Sequence, residues 1–258
     1  MNTMNREAWR SIWKAEEAKT FQGWDFSYLE RRMEEQELPW DYRAMVQNEM
    51  DGGKVMLDMG TGGGEFLLSL SPPPGNTYAT EAFLPNYELC REKLPPHGIE
   101  VKLVEDDDTL PFADGMFDLI INRHETFSAD EVNRILKPGG VFITQQVGGR
   151  NNRELSRFLL GEAGMVTAVD FALAHAANAL AKAGLSVEEQ QEFFPELRFR
   201  DIGALVYFAK IIEWEFAGFS VDRCFEKLCG LQEKVEQTGL VSSREHRFLA
   251  IARKGGKR

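Results

Sequence analysis

The residues best suited to chemistry gather around one glycine-rich turn. Val55-Met56-Leu57-Asp58-Met59-Gly60-Thr61-Gly62-Gly63-Gly64-Glu65-Phe66 reads as an apolar strand, a tight turn and the start of a helix. Glycines at 60, 62 and 64 allow positive φ and let a ligand approach bare backbone. Amide groups presented at a helix N-terminus would suit a carboxylate or phosphate. No Gly-Lys-Ser/Thr ending follows, which excludes a P-loop. Nicotinamide and flavin enzymes also use a glycine loop, but their GxGxxG pattern, begun at Gly60, needs glycine or alanine at 65, where Glu65 stands. A negative side chain fits a pyrophosphate badly and is harmless beside a cationic ligand. Glu81 follows the next apolar run, about twenty residues on, where a carboxylate can accept from both ribose hydroxyls; that spacing alone would serve NAD equally.

The elements that must position these groups read as three regions. Residues 1–50 are polar and aromatic-rich, with Trp9, Ile12 and Trp13 at helical spacing, and are expected to form an N-terminal helical cap. Leu38-Pro39-Trp40 interrupts that pattern, because proline disfavours helix in the residue before it. Residues 53–149 alternate short apolar runs (55–59, 77–80, 101–104, 117–122, 141–146) with helical patterns and breakers, as a parallel sheet with crossover helices requires. Pro85 suits the first turn of a helix. From 151 onward, a long helix is expected along Val166, Val169, Leu173, Ala177 and Leu180, stopped by Gly184. Late strands are expected at 186–194 and 247–252, with a helical insertion at 200–238 between them. The expected fold is α/β: a doubly wound, mostly parallel seven-stranded sheet over residues 51–258, with N-terminal helices and a helical insertion before the last strand.

After the third run comes Glu105-Asp106-Asp107-Asp108-Thr109-Leu110-Pro111-Phe112, then Phe117-Asp118-Leu119-Ile120-Ile121 and Leu136-Lys137-Pro138-Gly139-Gly140. Together with Asp-x-Gly-x-Gly-x-Gly and the acid after the second run, this order resembles the class I methyltransferases. More narrowly it resembles enzymes with the type 11 methyltransferase domain, over residues of about 50–149. The resemblance implies a Rossmann-like fold and S-adenosylmethionine as cofactor. Carried over residue by residue, it implies that Asp58, Gly60, Thr61 and Gly62 border the amino-acid end of that cofactor. Glu81, with Ala82 beside it, would hold the ribose. Asp106 would accept from the adenine amine and Asp107 would offer a backbone N–H. Asn122 would face the methionine part.

Methyl transfer from a sulfonium is an in-line displacement in which charge is lost, so holding the reactants close and dry supplies much of the catalysis. A general base is needed only where the acceptor must shed a proton. His124, just past the fourth run, is the candidate base, with Glu125 a weaker one; a packed, hydrogen-bonded histidine is the competing reading. Trp24, Phe26, Trp40, Tyr42, Tyr207, Trp214, Phe216 and Phe219 are candidates to close the pocket. Of these, Trp40, Tyr42, Tyr207 and Trp214 are expected to touch substrate; core packing is the competing role for all eight.

The acceptor is narrowed by what is missing. Asn122-Arg123-His124-Glu125 is not the Asn/Asp-Pro-Pro-aromatic signature of base-amine methylation, no Pro-Cys pair appears, and the paired-glutamate loop of protein arginine methyltransferases is lacking. The chain of 258 residues carries a formal charge of −11, which repels phosphate backbones despite a short basic tail. A small-molecule acceptor, methylated at O, N or C, is the leading reading. Its rivals are an RNA methyltransferase, a non-catalytic S-adenosylmethionine-binding module, and an NAD-dependent oxidoreductase. Cys90, Cys224 and Cys229 form no CxxC pair and read as reduced packing residues. No metal site, signal-peptide pattern or membrane-spanning run is apparent, so a cytoplasmic location is expected.

Overall fold

The computed structural model describes residues 3–21, 26–162 and 168–256. Along the chain run α1 (Thr3–Glu17), β1 (Met33–Glu35), α2 (Tyr42–Glu49), β2 (Met56–Met59), α3 (Glu65–Ser69), β3 (Thr77–Glu81), α4 (Leu84–Lys93), β4 (Ile99–Leu103), β5 (Phe117–Arg123) and α5 (Ala129–Ile135). There follow β6 (Leu136–Val147), α6 (Arg153–Leu160), α7 (Leu173–Lys182), β7 (Leu185–Phe193), β8 (Glu196–Phe199), α8 (Ile202–Ile211), α9 (Val221–Thr238), β9 (Val241–Arg244) and β10 (Arg247–Lys254). The chain divides into two units: residues 1–38, 149–169 and 193–246 form the first, and residues 39–148, 170–192 and 247–258 the second.

The second unit holds a seven-stranded sheet in the order β4-β3-β2-β5-β6-β10-β7. Strands β4, β3, β2, β5 and β6 are parallel, and β10 returns antiparallel to β6. All four residues of β2 are buried, as expected of a central strand covered on both faces. Leu57, Met59, Phe117, Ile120, Phe142, Leu180 and Ala250 share one core on this sheet. Leu110 and Phe112 are buried in it too, which explains the Leu-Pro-Phe stretch as an anchor for the acidic loop before it. Pro85 sits in the first turn of α4, and Gly184 takes φ +95° just past α7. Tyr42–Glu49, expected in an N-terminal cap, belongs to this unit, with Asp41 capping it by accepting from Ala44 N at 3.0 Å.

The first unit packs α1, α6, α8 and α9 around a core that includes Trp13, Leu159, Leu205 and Leu228. It also carries a three-stranded antiparallel sheet, β1-β8-β9, that the sequence reading did not anticipate. Strands of three or four residues are too short for alternation to register. In α1, Trp9 and Trp13 stack at 5.9 Å, but Ile12 is 56% exposed and leaves the apolar face. The long helix expected from Val166 is shorter: Val166 lies outside the described residues, Val169 is in a turn, and α7 begins at Leu173. Phe171, whose ring packs at 5.5 Å on Phe248, is fixed outside the helix by that contact.

Candidate functional site

The glycine turn leaves the carboxyl end of β2, the edge of an open α/β sheet where ligands bind. Gly60, Gly62 and Gly64 all have positive φ, at +68°, +61° and +77°. Four of its amides, expected to face a ligand, are instead tied into the protein. Gly60 N donates to Thr80 Oγ1 (3.3 Å), Thr61 N to Thr80 O (2.9 Å), Gly62 N to Glu81 Oε2 (2.7 Å) and Gly64 N to Thr61 O (3.1 Å). Helix α3 is only five residues long and adds little macrodipole. A loop with four of its donors committed suits a phosphate poorly. Cys90 Sγ donates to Gly62 O at 3.1 Å, and Lys93 Nζ to Gly63 O at 2.9 Å, so α4 holds the turn from its other side. Burial raises the Cys90 thiol to about 11, in keeping with a packing role.

Two buried carboxylates flank this turn. Glu81 is 5% exposed; Oε1 accepts from Phe83 N at 2.9 Å while Oε2 holds Gly62, leaving each oxygen a further lone pair. Asp58 is 4% exposed, and burial pushes its carboxyl up to about 7; Glu81 adds to this, opposed by the neighbouring Thr61 hydroxyl and by Arg123. A cation placed here would favour the ionised form. Thr61 is buried and Ala82 exposed. Glu65 pairs with Lys93, which offsets its charge, so its bulk in the third-glycine position is the stronger argument against a dinucleotide.

Open space lies over one glycine and not the other. A Cβ on Gly62 would meet nothing within 4 Å, whereas one on Gly60 would come 2.4 Å from Glu125 Cγ. Glu125, from the segment after β5, therefore covers Gly60, and would shift for a ligand to reach that residue. Burial, then Asp107 and Glu81, raise the Glu125 carboxyl above its ordinary value. The same segment is linked to the acidic loop, where Thr126 Oγ1 donates to Asp107 Oδ2 at 2.5 Å. Asp106 is exposed and turns Oδ1 to Asp108 N at 2.9 Å.

At the end of β5, Asn122 is fully buried, with its side chain spent inside the protein. Its Oδ1 accepts from Thr144 Oγ1 (2.8 Å) and Gln146 Nε2 (2.5 Å), and its backbone oxygen accepts from Tyr42 OH (3.1 Å). That network braces the strand end. His124 comes next, exposed, with φ +62°, a left-handed conformation that costs a non-glycine residue about 1–2 kcal/mol. Protein crowded around it, then Arg247 and Arg123, hold its imidazole well below the usual value. Arg123 lies over the Phe66 ring at 4.2 Å.

The aromatic candidates separate by environment. Trp40 is 7% exposed and donates from Nε1 to Gln145 Oε1 at 2.8 Å. Tyr42 is equally buried, with its ring 5.6 Å from Phe66, and burial and Asp58 raise its phenol. Tyr207, Phe216 and Phe219 are buried in the core of the first unit, where Tyr207 packs edge-on to Tyr28 at 4.9 Å and Phe26 packs on Phe21 and Phe208. Trp214 is 47% exposed in that unit, and Trp24 lies outside the described residues. Gln145 was missed in the sequence, and Glu125 was named there only as a weaker base, not as the cover of Gly60. Gln145-Gln146 ending an apolar run was the available signal for the first; nothing local signals that Glu125 lies on Gly60. The surface hollow lined by Leu68, Pro72, Pro74, His97 and Gly98 lies near the amino ends of β3 and β4, away from this edge. Among the described residues no cluster of histidine, cysteine and carboxylate side chains could hold a metal ion, and no helix is long and apolar enough to cross a membrane.

Residues 57–144 match a family described as a methyltransferase domain. No curated protein matches the chain. Among solved structures, a Bacillus halodurans C-125 protein provisionally assigned as a methyltransferase is 19% identical, with TM-score 0.60 over 83% of this chain and 99% of that one. The YcgJ protein of Bacillus subtilis is also 19% identical, with TM-score 0.59 over 84% and 99%. The [4+2]-cyclase SpnF is 18% identical, with TM-score 0.52 over 83% and 80%. The chain thus has the Rossmann-like fold of these structures, and the methyltransferase-domain match falls on its residues 57–144.

Proposed function

We propose that the protein is an S-adenosylmethionine-dependent methyltransferase acting on a small-molecule acceptor. The observation that carries this reading is the polarity of the glycine turn. The amides of Gly60, Thr61, Gly62 and Gly64 are consumed by Thr80, Glu81 and Thr61, and two buried carboxylates flank the turn. A ligand arriving there meets hydrogen-bond acceptors and negative charge, which suits an adenosyl sulfonium with its ammonium group and repels a pyrophosphate.

In this reading Asp58, Gly60, Thr61 and Gly62 border the amino-acid end, and Glu81, beside Ala82, uses its remaining lone pairs on the ribose. Asp106 and Asp107 border the adenine, and Asn122 shapes the strand end beneath the methionine part. When bound, the cofactor supplies an electrophilic methyl carbon. The protein's task is then to hold the acceptor in line and exclude water. His124, exposed at the end of β5, is the residue we assign to the acceptor. The formal charge of −11 supports a metabolite over RNA.

The test is transfer of labelled methyl from S-adenosylmethionine to panels of small carboxylic acids, amines and phenols, beside total RNA. Label on a small acceptor is expected. Label on RNA alone overturns the acceptor class. Cofactor binding with no transfer to any acceptor favours a fold turned to other ends, as in the cyclase named above.

A further inference from the structure

We propose that Trp40 and Gln145 are positioning residues that hold His124 as a neutral Nδ1–H hydrogen-bond donor, which orients the methyl acceptor instead of deprotonating it. The role toward the acceptor rests on the methyltransferase reading; the tautomer does not.

An indole N–H can only donate. Trp40 Nε1 lies 2.8 Å from Gln145 Oε1, which fixes that end of the amide as oxygen. The other end is then the NH2 group, and it lies 3.3 Å from His124 Nε2. An amide NH2 can only donate, so Nε2 must offer its lone pair. In a neutral imidazole the proton then resides on Nδ1. The backbone adds a second hold, because His124 N donates to Gln145 O at 2.8 Å. His124 is thus held at two points, ring and backbone, by one neighbouring residue, which explains how the left-handed φ of +62° is kept.

Protonating Nε2 would set an N–H against the amide NH2, with no acceptor between them. The charged groups that act on the ring, Arg123 on β5 and Arg247 on β10, oppose an imidazolium as well. A general base needs a free lone pair, and the one on His124 is already committed. Its Nδ1 has no hydrogen-bond partner among the described residues, and the side chain is exposed at the carboxyl edge of β5. The acceptor this arrangement takes is a group such as a carboxylate, where one lone pair receives Nδ1–H while another attacks the methyl carbon, and not an alcohol that must lose a proton.

The experiment is imidazole 15N NMR on the full chain, with His124→Asn identifying the signal among four histidines. Wild type is expected to show a protonated Nδ1 and a bare Nε2, with no titration near the ordinary value of about 6.5. In Gln145→Glu the new carboxylate accepts from both Trp40 and His124, so the proton moves to Nε2 and the ring titrates at higher pH. Trp40→Phe frees the amide to turn and should give a mixture of tautomers. With an active acceptor, Gln145→Glu should lower kcat by about tenfold with the KM for cofactor unchanged. An Nε2–H tautomer in wild type, or an unaltered 15N pattern in both variants, overturns the proposal. Because these spectra need no cofactor, a failure of S-adenosylmethionine to bind would leave the tautomer result standing and strike only the functional reading.

Discussion

Gly62 gives its amide hydrogen to Glu81 at 2.7 Å, and this bond joins the turn after β2 to the end of β3. The same carboxylate holds Phe83 N at 2.9 Å, so one side chain sets the shape of the turn and carries part of its negative charge. Charge-assisted bonds of this kind are stronger than neutral ones.

Replacing Glu81 by Ala leaves two backbone amides without their acceptor. The expected cost is about 1–3 kcal/mol in denaturant unfolding and a similar amount in cofactor affinity. Loss of affinity with unchanged stability would mean that the carboxylate contacts only the ligand; unchanged values in both would refute its role.

Gly60 and Gly62 should respond differently to alanine. Both have positive φ, so each substitution strains the backbone by about 1 kcal/mol. At Gly60 the new Cβ also collides with Glu125, 2.4 Å away at Cγ, and unfolding should register the added cost. At Gly62 the Cβ enters open space, so stability should fall little while calorimetry shows weakened cofactor binding. Equal stability losses with intact binding in Gly62→Ala would contradict the ligand-facing reading of that turn.

Asp58 makes stability pH-dependent. Its carboxyl is raised from 3.8 to about 7, so the folded chain binds the proton more tightly than the unfolded one. Its contribution is therefore fully present below about pH 4, falls as pH rises to about 7, and is lost above that. Asp58→Asn should flatten this slope and be more stable than wild type at pH 8. Binding of a cationic cofactor should strengthen as Asp58 ionises. Parallel stability profiles for the two proteins would sink the assignment.

In the first unit, Asp201 caps α8 by accepting from Ala204 N at 2.8 Å and also takes a two-pronged contact from Arg32 at 2.7 and 2.9 Å. Asp201→Ala should cost about 1–2 kcal/mol, most of it from the cap, because the ion pair is partly exposed. Asp201→Asn should recover much of that loss; if it recovers none, the Arg32 pair dominates.

The sheet and its glycine turn were legible because their signals are local. A run such as Met56–Met59 followed by Gly60, Gly62 and Gly64 states strand and turn within ten residues or so, and Gly184 marks a helix end by itself. Contacts distant in sequence were not legible. Nothing around Glu125 says that it lies on Gly60, and nothing around Gln145 says that its amide joins Trp40 to His124. The environment of the aromatic residues was hidden for a related reason. Trp40 is 7% exposed and Trp214 is 47% exposed, yet both stand beside sequence breaks. The direction of the loop amides was also hidden, since a glycine turn looks the same whether its N–H groups face a ligand or the next strand.

The most direct test is a calorimetric titration of the purified chain with S-adenosylmethionine, S-adenosylhomocysteine and NAD at pH 8, where Asp58 is ionised. Saturable binding of both adenosyl compounds, with no heat from NAD, is the predicted result. Binding of NAD in place of the sulfonium compound would contradict the account at its root.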